Sequence, residues 1–208
     1  MKKQLIIFDF DGTIADTLVV AEQIMHDLSP EFGLPRVTRK EIMALKHKSI
    51  PELLKISGLS WAQVPIFVHR ARGKFKAYLT HVNPILGMPE ALFSLRKRGY
   101  RMGILTSNSK ASVRQFLTMN QLQFFEFIHA PRSLFGKSSM MQKIIKSYKL
   151  SPEEVSMIGD EVRDVEAARK AGIDSIAVTW GFNSEDLLKT HAPKHLINQP
   201  GELLEIFE

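Results

Sequence analysis

Asp9 and Asp11 stand two residues apart at the end of a short apolar run, Leu5-Ile6-Ile7-Phe8, and Gly12 follows them. Further along come Thr106-Ser107-Asn108, then Lys137, then the run Gly159-Asp160-Glu161-Val162-Arg163-Asp164. Carboxylates with open coordination positions suit Mg²⁺, a hard cation that takes oxygen ligands, keeps several waters and bridges to phosphate. The chain has no Cys, which disfavours zinc and copper sites. A carboxylate is also a nucleophile toward phosphorus, and an aspartyl-phosphate divides one difficult displacement into two easier ones. That chemistry needs the charge on the transferring oxygens neutralised, a task for Mg²⁺, for Lys137 and for a neutral donor such as Thr106. It also needs a second acid/base to protonate the leaving oxygen and then activate water. Alternate residues of an extended chain point the same way, so Asp9 and Asp11 can face one site. Gly12 then permits a tight turn and close backbone approach to an anion.

Such residues must be brought together by the elements around them. Apolar runs at Leu5 to Phe8, Tyr100 to Leu105, Phe127 to His129, Val155 to Ile158 and Ser175 to Thr179 read as buried strands. Helical patterns separate them: one from near Pro89 to Arg98 with Gly99 as its stop, and one capped by Ser109 and running to about Met119. Two more run from Ser138 or Ser139 to Tyr148 and from Asp164 to Ala171, the latter closed by Gly172. Strands alternating with helices predict an α/β fold with a mostly parallel sheet covered on both faces. In such sheets ligands bind beyond the carboxyl ends of the strands, where these polar clusters fall. From Asp16 to about Val82 the apolar residues keep helical spacing (Val20, Ile24 and Leu28 on one face), punctuated by Pro30, Gly33, Pro35 and Gly58. This predicts a helical insertion after the first strand, with residues 16–83 forming one unit and residues 1–15 and 84–208 the α/β core.

Composition narrows the classes. The 208 residues carry 28 Lys plus Arg against 22 Asp plus Glu, a formal charge of +6, with 44% hydrophobic and 24% charged residues. This is ordinary globular composition and excludes a disordered or fibrous chain. The absence of Cys excludes disulfide frameworks, thiolate metal sites and Cys nucleophiles, and fits a reducing compartment. The apolar run after Lys2 and Lys3 is cut off by Asp9, too short for a signal peptide, and no segment approaches the roughly 18 apolar residues of a membrane span. A chain that stays in the cytoplasm is the expectation. The basic excess invites an acidic partner. The run His69-Arg70-Ala71-Arg72-Gly73-Lys74-Phe75-Lys76 suggests nucleic acid, but cations at every second helical position fall on opposing faces and form no phosphate-tracking stripe.

With these residues in view, Asp9-Phe10-Asp11-Gly12-Thr13 resembles the first motif of the haloacid dehalogenase-like superfamily in its phosphatase form. Thr106-Ser107-Asn108, Lys137, and Gly159-Asp160 with Asp164 resemble the second, third and fourth motifs, in the family's order. The stretch around GDEVRDVEAARKAGI is similar to the phosphoglycolate phosphatase-like branch, and the helical insertion resembles the family's C1-type cap. The resemblance spans nearly the whole chain and implies a Rossmann-like core.

It also implies roles. Asp9 becomes the nucleophile and a Mg²⁺ ligand, and Asp11 the acid/base, which offers its backbone carbonyl to the metal. Thr106 becomes a donor to the phosphoryl oxygens, with Ser107 and Asn108 beside it, although both also suit a turn before a helix. Lys137 holds Asp9 and the phosphate; Lys143 and Lys146 lie a turn or more into the following helix. Asp160 is a metal ligand, while Asp164 either supports it or caps the helix that follows. Glu161 suits a solvated first turn as well as a ligand. Lys46, His47 and Lys48 fall where the family carries a substrate-specificity loop and suit a carboxylate or second phosphate; a solvated helix end is the alternative. The implied activity is Mg²⁺-dependent hydrolysis of a small phosphomonoester, by a monomer or homodimer, with no nucleic acid or membrane partner. A phosphomutase on the same frame is the nearest alternative, and a phosphate-binding protein without turnover is a further one.

Overall fold

The computed structural model describes residues 3–131 and 136–208; Met1 and Lys2, which precede the first apolar run, lie outside them. In chain order the elements are β1 (Leu5–Phe8), α1 (Leu18–Phe32), α2 (Arg39–Ala44), α3 (Ile50–Ser57), α4 (Val64–Tyr78), α5 (Met88–Lys97), β2 (Arg101–Leu105), α6 (Lys110–Met119), β3 (Phe127–His129), α7 (Lys137–Tyr148), β4 (Val155–Gly159), α8 (Val162–Ala171), β5 (Asp174–Val178), α9 (Glu185–Thr190), β6 (His195–Ile197) and α10 (Leu203–Ile206). The six strands form one sheet in the order β3-β2-β1-β4-β5-β6, and every neighbouring pair is parallel.

Strand β1 is central, and its four side chains are fully buried. Because successive side chains alternate, Ile6 and Phe8 enter one apolar cluster and Leu5 and Ile7 the other, on opposite faces of the sheet. Strand β4 repeats the division, with Val155 and Met157 on one face and Ile158 on the other. Each such side chain contributes about 1.5–3 kcal/mol on burial, so these short continuous apolar runs are the strongest fold signal in the chain.

Five strands stand where the apolar runs predict them, within one residue. The sixth, β6, had no run to announce it: it is three residues long, pairs only with β5, and buries Ile197 alone among its side chains. Helix α7 begins at Lys137, with Gly136 as its N-cap, rather than at Ser138 or Ser139. The Ser139 hydroxyl donates back to the Gly136 carbonyl instead of capping. Helix α6 keeps its Ser109 cap, whose side chain accepts from the Ser112 amide.

Between β1 and β2 the chain forms α1 to α5, and among the first four Leu34, Leu59 and Val64 build a small apolar cluster. The chain leaves the core and returns to it side by side. Ala15 bridges Pro84, the Asp16 amide donates to the Asn83 carbonyl at 2.9 Å, and the Ile85 amide donates to the Ile14 carbonyl at 2.9 Å. Strand order reverses at β1, with β2 on one side and β4 on the other, so the carboxyl ends of these three strands sit together at the crevice where such sheets bind ligands.

Candidate active site

The chain immediately after β1 turns sharply, and Phe10 anchors the turn. Its fully buried ring packs edge-on against Phe116, with centroids 5.0 Å apart. With Phe10 committed to the core, Asp9 and Asp11 are left on the rim. The Asp9 amide continues the sheet by donating to the Ile158 carbonyl at 2.8 Å. Its carboxylate is 1% exposed, and Oδ1 accepts the Phe10 amide at 2.7 Å. The partner of Oδ2 is ionic: Lys137 Nζ lies 2.8 Å away, and the same ammonium reaches Asp164 Oδ1 at 2.5 Å. Burial alone would lower the Lys137 pKa, but the Asp164 and Asp9 carboxylates raise it above its ordinary value.

Asp160 is fully buried at the end of β4. Thr13 Oγ donates to its Oδ1 at 2.7 Å and the Phe182 amide to its Oδ2 at 2.7 Å. Gly12, at φ +73°, and Gly181 both press on this carboxyl group, where a Cβ at either position would collide with it. Asp9, Asp160 and Asp164 each offer a carboxylate oxygen, all within 4.8 Å of one another. Asp164, in the first turn of α8, serves two elements: its Oδ2 accepts the Glu161 amide at 3.3 Å while Oδ1 holds Lys137. Capping and holding the lysine are therefore compatible.

Asp11 faces the loop after β2. Asn108 Nδ2 donates to its Oδ1 at 3.0 Å, and Thr106 Oγ reaches its Oδ2 at 3.5 Å. Thr106 Oγ also accepts the Asn108 amide at 2.9 Å, which fixes the turn. Burial, and then the charge of Asp9, push the Asp11 carboxyl up to about 7. Burial likewise pushes Asp164 up to about 7 and Asp160 well above the carboxylate range. Five carboxylates (Asp9, Asp11, Asp160, Glu161, Asp164) meet two cations, Lys137 and Arg163, so the site carries an excess of negative charge. Three buried carboxylates in that field, each with an oxygen within 4.8 Å of the others, form a donor set that fits a hard divalent cation.

Of the three basic residues in the helical insertion, the structure brings Lys46 to the rim, where its charge interacts with Asp160 and Asp16 and burial lowers its pKa. His47 is exposed, and Lys48, which precedes α3, pairs with Glu52 in its first turn at 3.2 Å. The loop after β5 reaches over to the same place. The Ser184 amide donates to the Lys46 carbonyl at 2.9 Å and Asn183 Nδ2 at 3.4 Å, while Asn183 Oδ1 accepts the Val162 amide at 2.8 Å.

Several of these residues escaped sequence reasoning. Thr13 lies inside the first motif yet carried no assigned role. Arg163 sits inside the fourth and was passed over. Its guanidinium pairs with Glu161 and donates to Ser107 Oγ at 3.1 Å. Asn183 and the Phe182 amide had no sequence signal, because the fold alone brings their loop to Asp160.

A parallel sheet with carboxylates gathered at its switch point defines a Rossmann-like α/β enzyme. The chain belongs to the haloacid dehalogenase-like hydrolase family, whose model matches residues 6–178, and it falls in the phosphoglycolate phosphatase-like branch. A phosphoglycolate phosphatase of Synechococcus elongatus is 32% identical over 203 residues, which cover 97% of this chain and 96% of that protein. A 5'-nucleotidase of Pseudomonas aeruginosa is 28% identical, with 98% and 95% covered. A solved haloacid dehalogenase-like hydrolase of Streptococcus pneumoniae superposes with a TM-score of 0.82 over 99% of each chain at 24% identity, and so shares the fold.

Proposed function

We propose that the chain is a Mg²⁺-dependent phosphatase of small phosphomonoesters that works through an aspartyl-phosphate on Asp9. One observation carries the reading: Asp9 Oδ2 is buried with the Lys137 ammonium at 2.8 Å as its partner, beside an Asp11 whose carboxyl is pushed up to about 7. One carboxylate is thus kept as a nucleophile and its neighbour as a proton carrier, the separation of roles that paired carboxylates achieve through their environments.

In the first step an Asp9 oxygen forms a bond to phosphorus as the ester P–O bond breaks, and Asp11 gives its proton to the departing alkoxide. In the second, the Asp11 carboxylate takes a proton from water while the water oxygen attacks phosphorus, releasing phosphate and restoring Asp9. Lys137 and the Thr106 hydroxyl face charge on the transferring oxygens. Asp9, Asp160 and the Asp11 backbone carbonyl are the proposed holders of Mg²⁺, with Asp164 at hand. The bound ion would neutralise phosphoryl charge.

Residues 16–83 are the proposed cap and residues 1–15 and 84–208 the catalytic core. The paired crossings at Ala15–Pro84 and Asp16–Asn83 support that division. Lys46, whose charge interacts with Asp160, is the cap residue suited to grip a second anionic group of the substrate, with His47 and Lys48 following it in the chain. A small metabolite phosphate ester of the cytoplasm is the proposed substrate class, and the full-length similarity to a phosphoglycolate phosphatase supports it.

The test is phosphate release from a panel of small phosphomonoesters with Mg²⁺, run beside Asp9→Asn. Release by the wild type alone supports the reading; equal release by both proteins, or none by either, contradicts it.

A further inference from the structure

Ser107 follows Thr106 in the loop after β2, and its hydroxyl has an uncommon partner. Arg163 Nη2 donates to Ser107 Oγ at 3.1 Å. A guanidinium has no acceptor, so Ser107 must accept in this bond, and its own proton is left to point elsewhere. Among the described residues none accepts that proton. The loop it belongs to is the one that also presents Thr106 and Asn108 to Asp11.

Arg163 is itself held. Its Nε and Nη2 both pair with Glu161 Oε2, and the two side chains are only 15% and 19% exposed. Glu161 stands just before α8 and Arg163 in its first turn, beside Asp160 and Asp164 of the carboxylate cluster. Its charge also acts on Asp11, Lys137 and Asp164. A surface arginine serving only solubility would not be fixed in this way. The planar fork of a guanidinium can hold a carboxylate with one edge and reach a hydroxyl with another, which an ammonium cannot reproduce.

We propose that Arg163 is a positioning residue for phosphate recognition: clamped by Glu161, it orients Ser107 so that the Ser107 hydroxyl donates to an oxygen of the bound phosphoryl group. The inference rests on the phosphatase reading for the identity of the anion, and it gives Glu161 and Arg163 a role in that site. Ser107 touches the phosphate; Arg163 acts through it, and Glu161 through Arg163.

The experiment is calorimetric titration of inorganic phosphate, with Mg²⁺ present, into the wild type, Arg163→Ala, Arg163→Lys, Ser107→Ala and the Arg163→Ala/Ser107→Ala double variant, with melting temperatures measured alongside. Loss of a hydrogen bond to a charged group should weaken phosphate binding about tenfold in each alanine variant. The double variant should bind no more weakly than either single one, because the two residues form one unit. Arg163→Lys should stay close to Arg163→Ala in affinity while melting near the wild type. Independent, multiplying losses in the double variant would overturn the proposal, as would full affinity in Arg163→Lys or in Arg163→Ala. A wild type that binds no phosphate would also overturn it. A wild type that binds phosphate in this pattern but cleaves no ester would leave the positioning role standing and remove the phosphatase reading.

Discussion

Lys137 Nζ sits 2.8 Å from Asp9 Oδ2, with both side chains at most 3% exposed. The pair joins the first residue after β1 to the first residue of α7, and the same ammonium continues to Asp164 at the start of α8. Three strand-to-helix junctions therefore meet at one buried charge. Replacing Lys137 by Met removes the ammonium that Asp9 and Asp164 share in the buried site, which should destabilise the fold by about 3–5 kcal/mol. Urea unfolding at pH 8 measures it. The loss should be smaller at pH 5, where Asp164 can take up a proton; an equal loss at both values would contradict this electrostatic account.

The metal-free protein should become less stable as pH rises through neutrality. Asp11 and Asp164 have carboxyls raised from an ordinary 3.8 to about 7, and Asp160 is raised as well, so the folded state binds more protons than the unfolded one over that interval. Stability from this source is complete below about 4 and is lost as pH climbs through about 7. Mg²⁺ requires the ionised carboxylates and should reverse the trend. At a hundred times its dissociation constant it adds about 2.7 kcal/mol, so its effect on the melting temperature should be larger at pH 8 than at pH 5. Thermal melts in EDTA and in excess Mg²⁺ decide this. A metal-free melting temperature that rises from pH 5 to pH 8 would be the wrong sign.

Asp11→Asn should lower turnover of an alkyl phosphate about 10²–10⁴-fold, the usual loss when a positioned acid/base is removed. In the first turnover, before the Asp11-assisted attack of water counts, the defect in leaving-group release should shrink for p-nitrophenyl phosphate, whose leaving group departs without a proton. Comparing the two substrates on wild type and variant tests the assignment. An equal loss on both would place Asp11 in support of the fold or the metal instead.

Asn183 ties Lys46 to the start of α8 through the Lys46 carbonyl and the Val162 amide. Asn183→Ala should cost about 1–3 kcal/mol for the donor it leaves unsatisfied. If Lys46 grips the substrate, the variant should also raise KM more than it lowers kcat, as should Lys46→Ala. Steady-state kinetics on the best ester of the panel would show this, and an unchanged KM in both variants would remove Lys46 from substrate binding.

The parts of this site that were legible in the sequence are those fixed by short-range rules. Asp9 and Asp160 follow continuous apolar runs whose burial sets strand position, and Phe10 between two aspartates reads as one inward residue flanked by two outward ones. Thr106 closes β2 for the same reason, and the helical spacing of Val20, Ile24 and Leu28 announced α1. Lys137 was found by its place ahead of a helix, though it turned out to be the first helical residue. What stayed hidden depends on chain segments far apart in sequence. Asp160 draws on Thr13 and on the Phe182 amide, and Ser107 on Arg163, and no periodicity reports such pairings. Strand β6 was hidden by its brevity: an edge strand that buries one side chain leaves no apolar run to read.

The central claim is that phosphorus passes through Asp9 rather than directly to water. Two successive in-line displacements restore the original configuration at phosphorus, and a single displacement by water inverts it. The measurement is the configuration of the inorganic thiophosphate released when a phosphorothioate analogue of the ester that the wild type cleaves best, made chiral at phosphorus with two oxygen isotopes, is hydrolysed in water of the third. Retention is the expected result; inversion would contradict the account.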